Sequence, residues 1–314
     1  MGHGQSQQDQ TGRRSARRKR IYLGGGAVLA VIIVVVAFVL IKLNSGGGTA
    51  PTASDGPTGA ALTAVTKQVT DIPASVTDKV ADGGVSKSIF VSAPTTSAIS
   101  SAASQLGSYF ATVSGSALTA NGKPQVLYLG GEYCPYCAAE RWSMVNALSR
   151  FGTFTGLATT HSSTSDVYPN TPTYTFAKAK YTSNYIDFSS VEEFGNERVG
   201  NSKNQNTPYV TLQKPTTAQT ALAAAYNPTG AIPFIDFGNK YVEVGNLSPL
   251  SPSMLTGKTW AQVAAAMNDP SSALGKAIVG NANYITAAIC KLTNNQPAAA
   301  CTPAIQQLEA NLAS

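Results

Sequence analysis

Histidine, cysteine and charge are all scarce in this chain. Of 314 residues two are histidine, His3 and His161, and four are cysteine, Cys134, Cys137, Cys290 and Cys301. Structural zinc usually takes two closely spaced ligand pairs, and only Cys134 and Cys137 have that spacing, so the cysteines do not read as one zinc site. His161 follows an apolar run at 154–160 and reads as a strand-end or surface residue, so no metal or other cofactor is implied. Charged residues make up 12% of the chain, with a formal net charge of +6 that invites a nucleic-acid reading. Residues 1–43 carry seven of the 22 Lys/Arg and one of the 16 Asp/Glu, leaving 15 of each sign and zero net charge beyond them. Nucleic-acid binding by that remainder has no electrostatic support. No internal repeat is visible.

The basic excess is a membrane-orienting signal. Arg13-Arg14-Ser15-Ala16-Arg17-Arg18-Lys19-Arg20 precedes an apolar stretch from Ile21 to Leu43, interrupted by Gly24-Gly25-Gly26 and Lys42. At 1.5 Å per residue such a stretch reaches about 35 Å, enough for a hydrocarbon core of about 30 Å. The positive-inside rule puts the basic stub, 1–20, in the cytoplasm and everything after Leu43 outside. A signal peptide cut near Gly46-Gly47-Gly48 is the competing reading, but the apolar core exceeds the usual length of about 7–15 residues, which favours a retained single-pass anchor at 21–43. Residues 44–60, rich in Gly, Ser, Thr, Pro and Ala, read as a flexible tether. Residues 61–314 are long enough for one extracytoplasmic domain with an insertion, expected at about 166–230.

Within that domain, Gln125-Val126-Leu127-Tyr128-Leu129 leads across Gly130-Gly131-Glu132-Tyr133 into Cys134-Pro135-Tyr136-Cys137 and a helical stretch from Ala138 to Leu148. Strand, loop, C-x-x-C, helix is how a dithiol–disulfide redox centre is built. A helix N-terminus offers unpaired N–H groups and partial positive charge, which hold the first cysteine as a thiolate. The second cysteine, one turn on, can attack a mixed disulfide and release the partner.

Further along, residues 230–237 and Tyr241-Val242-Glu243-Val244 flank Gly238-Asn239-Lys240 and predict a β-hairpin. Pro233 near its start costs no ladder bond there. Thr259 with Gln262 has capping-box spacing, and Thr302-Pro303 places a cap and a first-turn proline before 304–312. Phe154–Thr159 is a second strand candidate, and the aromatic-rich 166–230 segment reads as helical or irregular. Cys290 and Cys301 lie either side of a turn-rich stretch containing Asn294-Asn295 and Pro297. They read as a structural disulfide suited to an oxidising compartment, with two buried thiols as the alternative.

The strand, C-x-x-C helix and X-Pro hairpin resemble the thioredoxin fold and, given an exported location with an insertion, the DsbA-type disulfide oxidoreductases. The run from Asn121-Gly122-Lys123-Pro124 through the C-x-x-C to Phe151-Gly152 more closely resembles a family of membrane-anchored thioredoxin-like proteins, the domain of unknown function 929 family. That resemblance implies an α/β, thioredoxin-like domain with Cys134 as attacking cysteine, Cys137 as resolving cysteine and Pro233 as a cis-proline beside them. Ile232, through its backbone, and Tyr136 are the implied substrate contacts. One departure stands out: those folds commonly carry a buried acid six positions before the first cysteine, and Tyr128 stands there. Glu132 or Glu140 could take over its proton-transfer role, or be solvated surface carboxylates.

The expected activity is thiol–disulfide exchange with exported proteins, oxidation being favoured by the compartment, while reduction would need a membrane redox partner as electron donor. The alternative is a non-catalytic binding module of the cell envelope in which Cys134–Cys137 is a permanent staple.

Overall fold

The computed structural model describes residues 56–312. The expected anchor at 21–43 and most of the expected tether lie outside them, and among the described residues no helix is long and apolar enough to cross a membrane. In chain order the elements are α1 (Gly59–Thr70), α2 (Ala74–Val80), β1 (Phe90–Ser92), α3 (Thr96–Leu106), β2 (Tyr109–Thr112), β3 (Thr119–Ala120), β4 (Lys123–Gly130) and α4 (Pro135–Ser149). There follow β5 (Gly152–Thr155), β6 (Ala158–His161), β7 (Pro172–Thr175), β8 (Lys180–Ser183), β9 (Asp187–Glu192), β10 (Phe194–Arg198), β11 (Tyr209–Thr211) and α5 (Thr217–Tyr226). The C-terminal part comprises β12 (Phe234–Phe237), β13 (Tyr241–Val244), α6 (Trp260–Met267), α7 (Ala273–Leu292) and α8 (Pro303–Leu312).

A mixed central sheet runs in the order β1-β2-β13-β12-β4-β9, with β3 pairing the start of β4. The strand carrying the loop to the cysteines, β4, lies between β9, its parallel neighbour, and β12, its antiparallel one. Side chains alternate along β4, as a pleated strand requires. Val126 and Tyr128 join one apolar core with residues of α1, α4, α6, α7 and α8, while Leu127 and Leu129 join another with Ile99 of α3 and, at its margin, Leu222 of α5. The sheet is thus covered on both faces, a three-layer α/β/α arrangement.

Most of the length of α4 is buried, including Glu140, Arg141, Ser143 and Asn146, so its polar groups need partners from the surrounding layers. Its polar side chains are paired across layers: Trp142 Nε1 donates to the Pro172 carbonyl at 2.8 Å, Ser143 Oγ to Ile278 O at 3.1 Å and Asn146 Nδ2 to Val69 O at 2.8 Å. Both expected C-terminal caps form, with Thr259 and Gln262 closing a reciprocal capping box and Thr302 Oγ1 accepting from Ile305 N. The predicted hairpin forms in the register Phe234↔Val244 to Phe237↔Tyr241.

Two expectations need correction. The strand candidate Phe154–Thr159 is broken by Gly156 at φ 70° into β5 and β6, which pair with β8 and β7 in separate two-stranded sheets outside the central one. The segment 166–230, expected to be helical or irregular, is largely extended, supplying β7, β8, the central-sheet strand β9 and the β10–β11 pair before the single helix α5. Its Thr, Tyr, Phe and Val content favours strands, and aromatic clustering gives it a core: Phe176 stacks on Phe154 at 5.8 Å and meets Tyr128 edge-on at 5.3 Å.

Candidate active site

Cys134 is the N-cap of α4, with extended backbone (φ −76°, ψ 122°), and Pro135 opens the helix where a missing N–H costs nothing. The Cys137 N–H donates to Cys134 Sγ at 3.4 Å, so the sulfur does what a capping oxygen does elsewhere. Both cysteines are free thiols, Cys134 being 6% exposed and Cys137 fully buried. A hydrogen bond from the Cys137 thiol pulls the Cys134 thiol below its ordinary range against the opposing effect of burial, helped by the backbone N–H groups of Cys137 and Tyr136 and by the Arg141 charge. Burial drives the Cys137 thiol well up, reinforced by its bond to Cys134 and by the Cys134 charge. The asymmetry is that of a first thiol more easily ionised and a second one held protonated.

Pro233 follows a cis peptide bond, and the Ile232 carbonyl lies 3.8 Å from Cys134 Sγ. The structure therefore brings Cys134, Cys137, Ile232 and Tyr136 into one place, with Pro233 entering β12. Tyr136, 40% exposed, stands at the rim and meets Tyr168 edge-on at 6.2 Å. A second aromatic wall is formed by Tyr133 stacked on Tyr209 at 4.3 Å, capped by the Arg198 guanidinium 4.2 Å from the Tyr209 ring. Ile232 also lines a cavity of about 320 Å³, together with Leu129, Phe234, Ala223, Asn227 and Glu193. Cys290 and Cys301 take no part: they are joined as a disulfide that ties the end of α7 to the segment before α8.

Beneath the dithiol lies an ion pair that no local pattern announced. Arg141 Nε and Nη2 donate to the two carboxylate oxygens of Glu192, each at 2.7 Å, and Nη2 also to Gly131 O at 2.8 Å. Both side chains are fully buried. Burial works against the Arg141 charge, and the Glu192 carboxylate more than restores it. The guanidinium sits 5.9 Å from the ring of Tyr128, whose buried hydroxyl has no hydrogen-bond partner and is pushed well up by burial. A Cβ on Gly130 would come within 2.2 Å of that hydroxyl, so glycine is what leaves room for Tyr128.

Glu140 is not the solvated carboxylate that its place on a helix allowed. It is fully buried, accepting from Asn281 Nδ2 at 2.9 and 2.7 Å and from Asn246 Nδ2 at 2.9 Å. The same Asn246 amide holds the Tyr136 carbonyl at 3.0 Å, which links the cluster to the C-x-x-C turn. Burial pushes Glu140 up to about 7 against those hydrogen bonds, and pushes the neighbouring Glu243 well up, with the Glu140 charge adding to it. Glu132, half-buried, is also raised by burial. Sequence reading missed Glu192, Glu243, Asn246 and Asn281. The available signals were an acid amid the apolar Tyr241-Val242-Glu243-Val244 and Asn281 and Asn283 inside a long apolar helix.

No curated protein and no solved structure matches this chain. A family model matches residues 109–291, a span that holds the C-x-x-C helix, the Glu192 strand, the Pro233 hairpin and most of α7. The chain belongs to the family described as a domain of unknown function, DUF929.

Proposed function

We propose that this protein is a thioredoxin-like thiol–disulfide oxidoreductase, anchored in the cytoplasmic membrane by residues 21–43 and acting outside it on the thiols or disulfides of exported proteins. The observation that carries the reading is the Cys134 sulfur: it caps α4, its thiol is lowered, and it faces the Ile232 carbonyl at 3.8 Å, while Cys137 waits buried one turn behind. The strand order β9-β4-β12-β13, parallel in its first pair and antiparallel in the next two, supports the thioredoxin likeness, with the C-x-x-C after β4 and the cis-proline before β12. The Cys290–Cys301 disulfide supports an oxidising compartment.

Exchange runs through a mixed disulfide between a client sulfur and Cys134, with Cys137 as the leaving thiol when the client is oxidised and as the attacking thiol when it is reduced. Regeneration falls to a membrane redox partner. The competing reading, a binding module with a permanent Cys134–Cys137 staple, draws on the low exposure of Cys134, 6%. The two separate on a trapping experiment. With Cys137→Ala, mixed disulfides between Cys134 and client proteins should accumulate on non-reducing gels, and with Cys134→Ala they should not. Equal trapping by both variants, or none by either, rejects the assignment.

A further inference from the structure

We propose that Arg141, held by Glu192, is a positioning residue that stabilises the reduced dithiol through its charge, and that this sets the protein to work as an oxidant of client dithiols. The inference rests on the exchange activity proposed above and adds its direction. Cys134, Cys137 and Arg141 follow one another at spacings of three and four residues, which places them on one face of α4, one turn apart. The Gly131 carbonyl that accepts from Arg141 Nη2 also accepts from the Cys134 N–H, at 3.3 Å, so guanidinium and cysteine are tied to one backbone atom. Glu192 takes up Nε and Nη2, leaving Nη1 buried with no acceptor. The second unpartnered donor there is the Tyr128 hydroxyl, from β4. With both cysteines free, neither idle donor reaches a sulfur, so what Arg141 offers the pair is its buried charge, which favours the thiolate that reduction leaves on Cys134.

The step balances as follows. A client thiolate attacks Cys134 Sγ of the disulfide form; the Cys134–Cys137 bond breaks, and its electron pair leaves on Cys137, which takes up a proton. The second client thiol loses its proton and attacks the client sulfur of the mixed disulfide, and Cys134 departs as a thiolate. Counting the proton that the first client thiol sheds to become the attacking thiolate, the client dithiol is oxidised to a disulfide, the protein disulfide is reduced to one thiolate (Cys134) and one thiol (Cys137), and one proton passes to solvent. A stabilised leaving thiolate speeds the last step, and a stabilised reduced form raises the reduction potential.

The test compares the wild-type extracytoplasmic domain, preceded by its natural anchor in detergent, with Glu192→Gln and with the near-isosteric Arg141→Gln/Glu192→Gln pair. Equilibrium with reduced and oxidised glutathione gives the oxidising strength, and the pH profile of Cys134 alkylation gives the thiolate stability. Glu192→Gln, which frees the Arg141 charge, should make the protein a stronger oxidant. The double variant should be weaker by about tenfold, or about 30 mV. Both shifts should be matched in the alkylation profile, which a merely structural ion pair would not move. If the double variant does not fold, Glu192→Gln decides alone. Wild type that exchanges with glutathione, with folded variants within twofold of it or in the reverse order, overturns the role of Arg141 and leaves the exchange activity standing. Wild type that does not exchange at all overturns both.

Discussion

Replacing Glu140 and Glu243 together by glutamine should flatten the dependence of stability on pH. Glu140 is pushed from its ordinary 4.5 up to about 7, so the folded protein keeps a proton that the unfolded chain releases. The sign follows from linkage: a carboxyl raised in the folded state contributes fully below the unfolded value, and that contribution is lost as pH rises through the folded one. At about 1.4 kcal/mol for each tenfold in proton affinity, wild type loses about 3 kcal/mol from Glu140 between about pH 4.5 and 7.5. Glu243 adds to the loss, since burial and the neighbouring Glu140 charge hold its proton well above the ordinary range against the Asn281 amide. Glutamine amides would give the unpartnered Asn246 and Asn281 oxygens donors at every pH. Asp236, pushed up to about 7 by burial, slopes alike in both proteins and cancels in the difference.

The assay is thermal unfolding across pH 4.5–8 for wild type and Glu140→Gln/Glu243→Gln. The variant should be more stable at pH 8 by at least about 3 kcal/mol, or at least about 6–12 °C in Tm for a domain of this size, with the gap closing toward pH 4.5. Parallel curves over the whole range would refute the claim that this pair carries protons in the folded protein.

Other consequences are as specific. The double change Cys290→Ala/Cys301→Ala should lower stability by about 3 kcal/mol, from the chain entropy of the loop it closes, while exchange at Cys134 proceeds at the wild-type rate under folding conditions. Loss of exchange with an intact fold would make that pair a redox relay. Asn246→Ala removes the amide that bridges Tyr136 O and Glu140 Oε2, and should cost about 1–3 kcal/mol in urea unfolding. Gly130→Ala should cost about 1–3 kcal/mol by driving a Cβ into the Tyr128 phenol, seen as a lower urea midpoint.

Where structure follows from local chemistry, it was legible. The C-x-x-C helix start, the Gly238-Asn239-Lys240 turn, the Thr259 capping box and the Thr302 cap all depend on neighbours a few residues apart, and each is present. The insertion was not legible. Its strands are short, and their Thr, Ser and Tyr residues are neither clearly apolar nor clearly polar. The central-sheet strand Asp187–Glu192 is itself only half-buried over its first four residues, so it lacks the apolar run of a core strand. Arg141 and Glu192 lie 51 residues apart, and Glu140 and Asn281 lie 141 apart. No periodicity links such partners. They read as surface charges until the sheet brings them together, because buried ionic groups are rare among surface-type residues.

The central claim is that the Cys134–Cys137 pair exchanges electrons with other proteins, and disulfide transfer tests it most directly. The domain, oxidised at this pair, is mixed with a reduced, unfolded protein substrate, and thiols on both are counted by alkylation and mass spectrometry over time. The account predicts that one client disulfide forms for each Cys134–Cys137 disulfide lost, that Cys290–Cys301 stays intact, and that the pair's potential lies above about −300 mV. A Cys134–Cys137 disulfide that persists unchanged beside the reduced substrate, with a potential below that value, would contradict it.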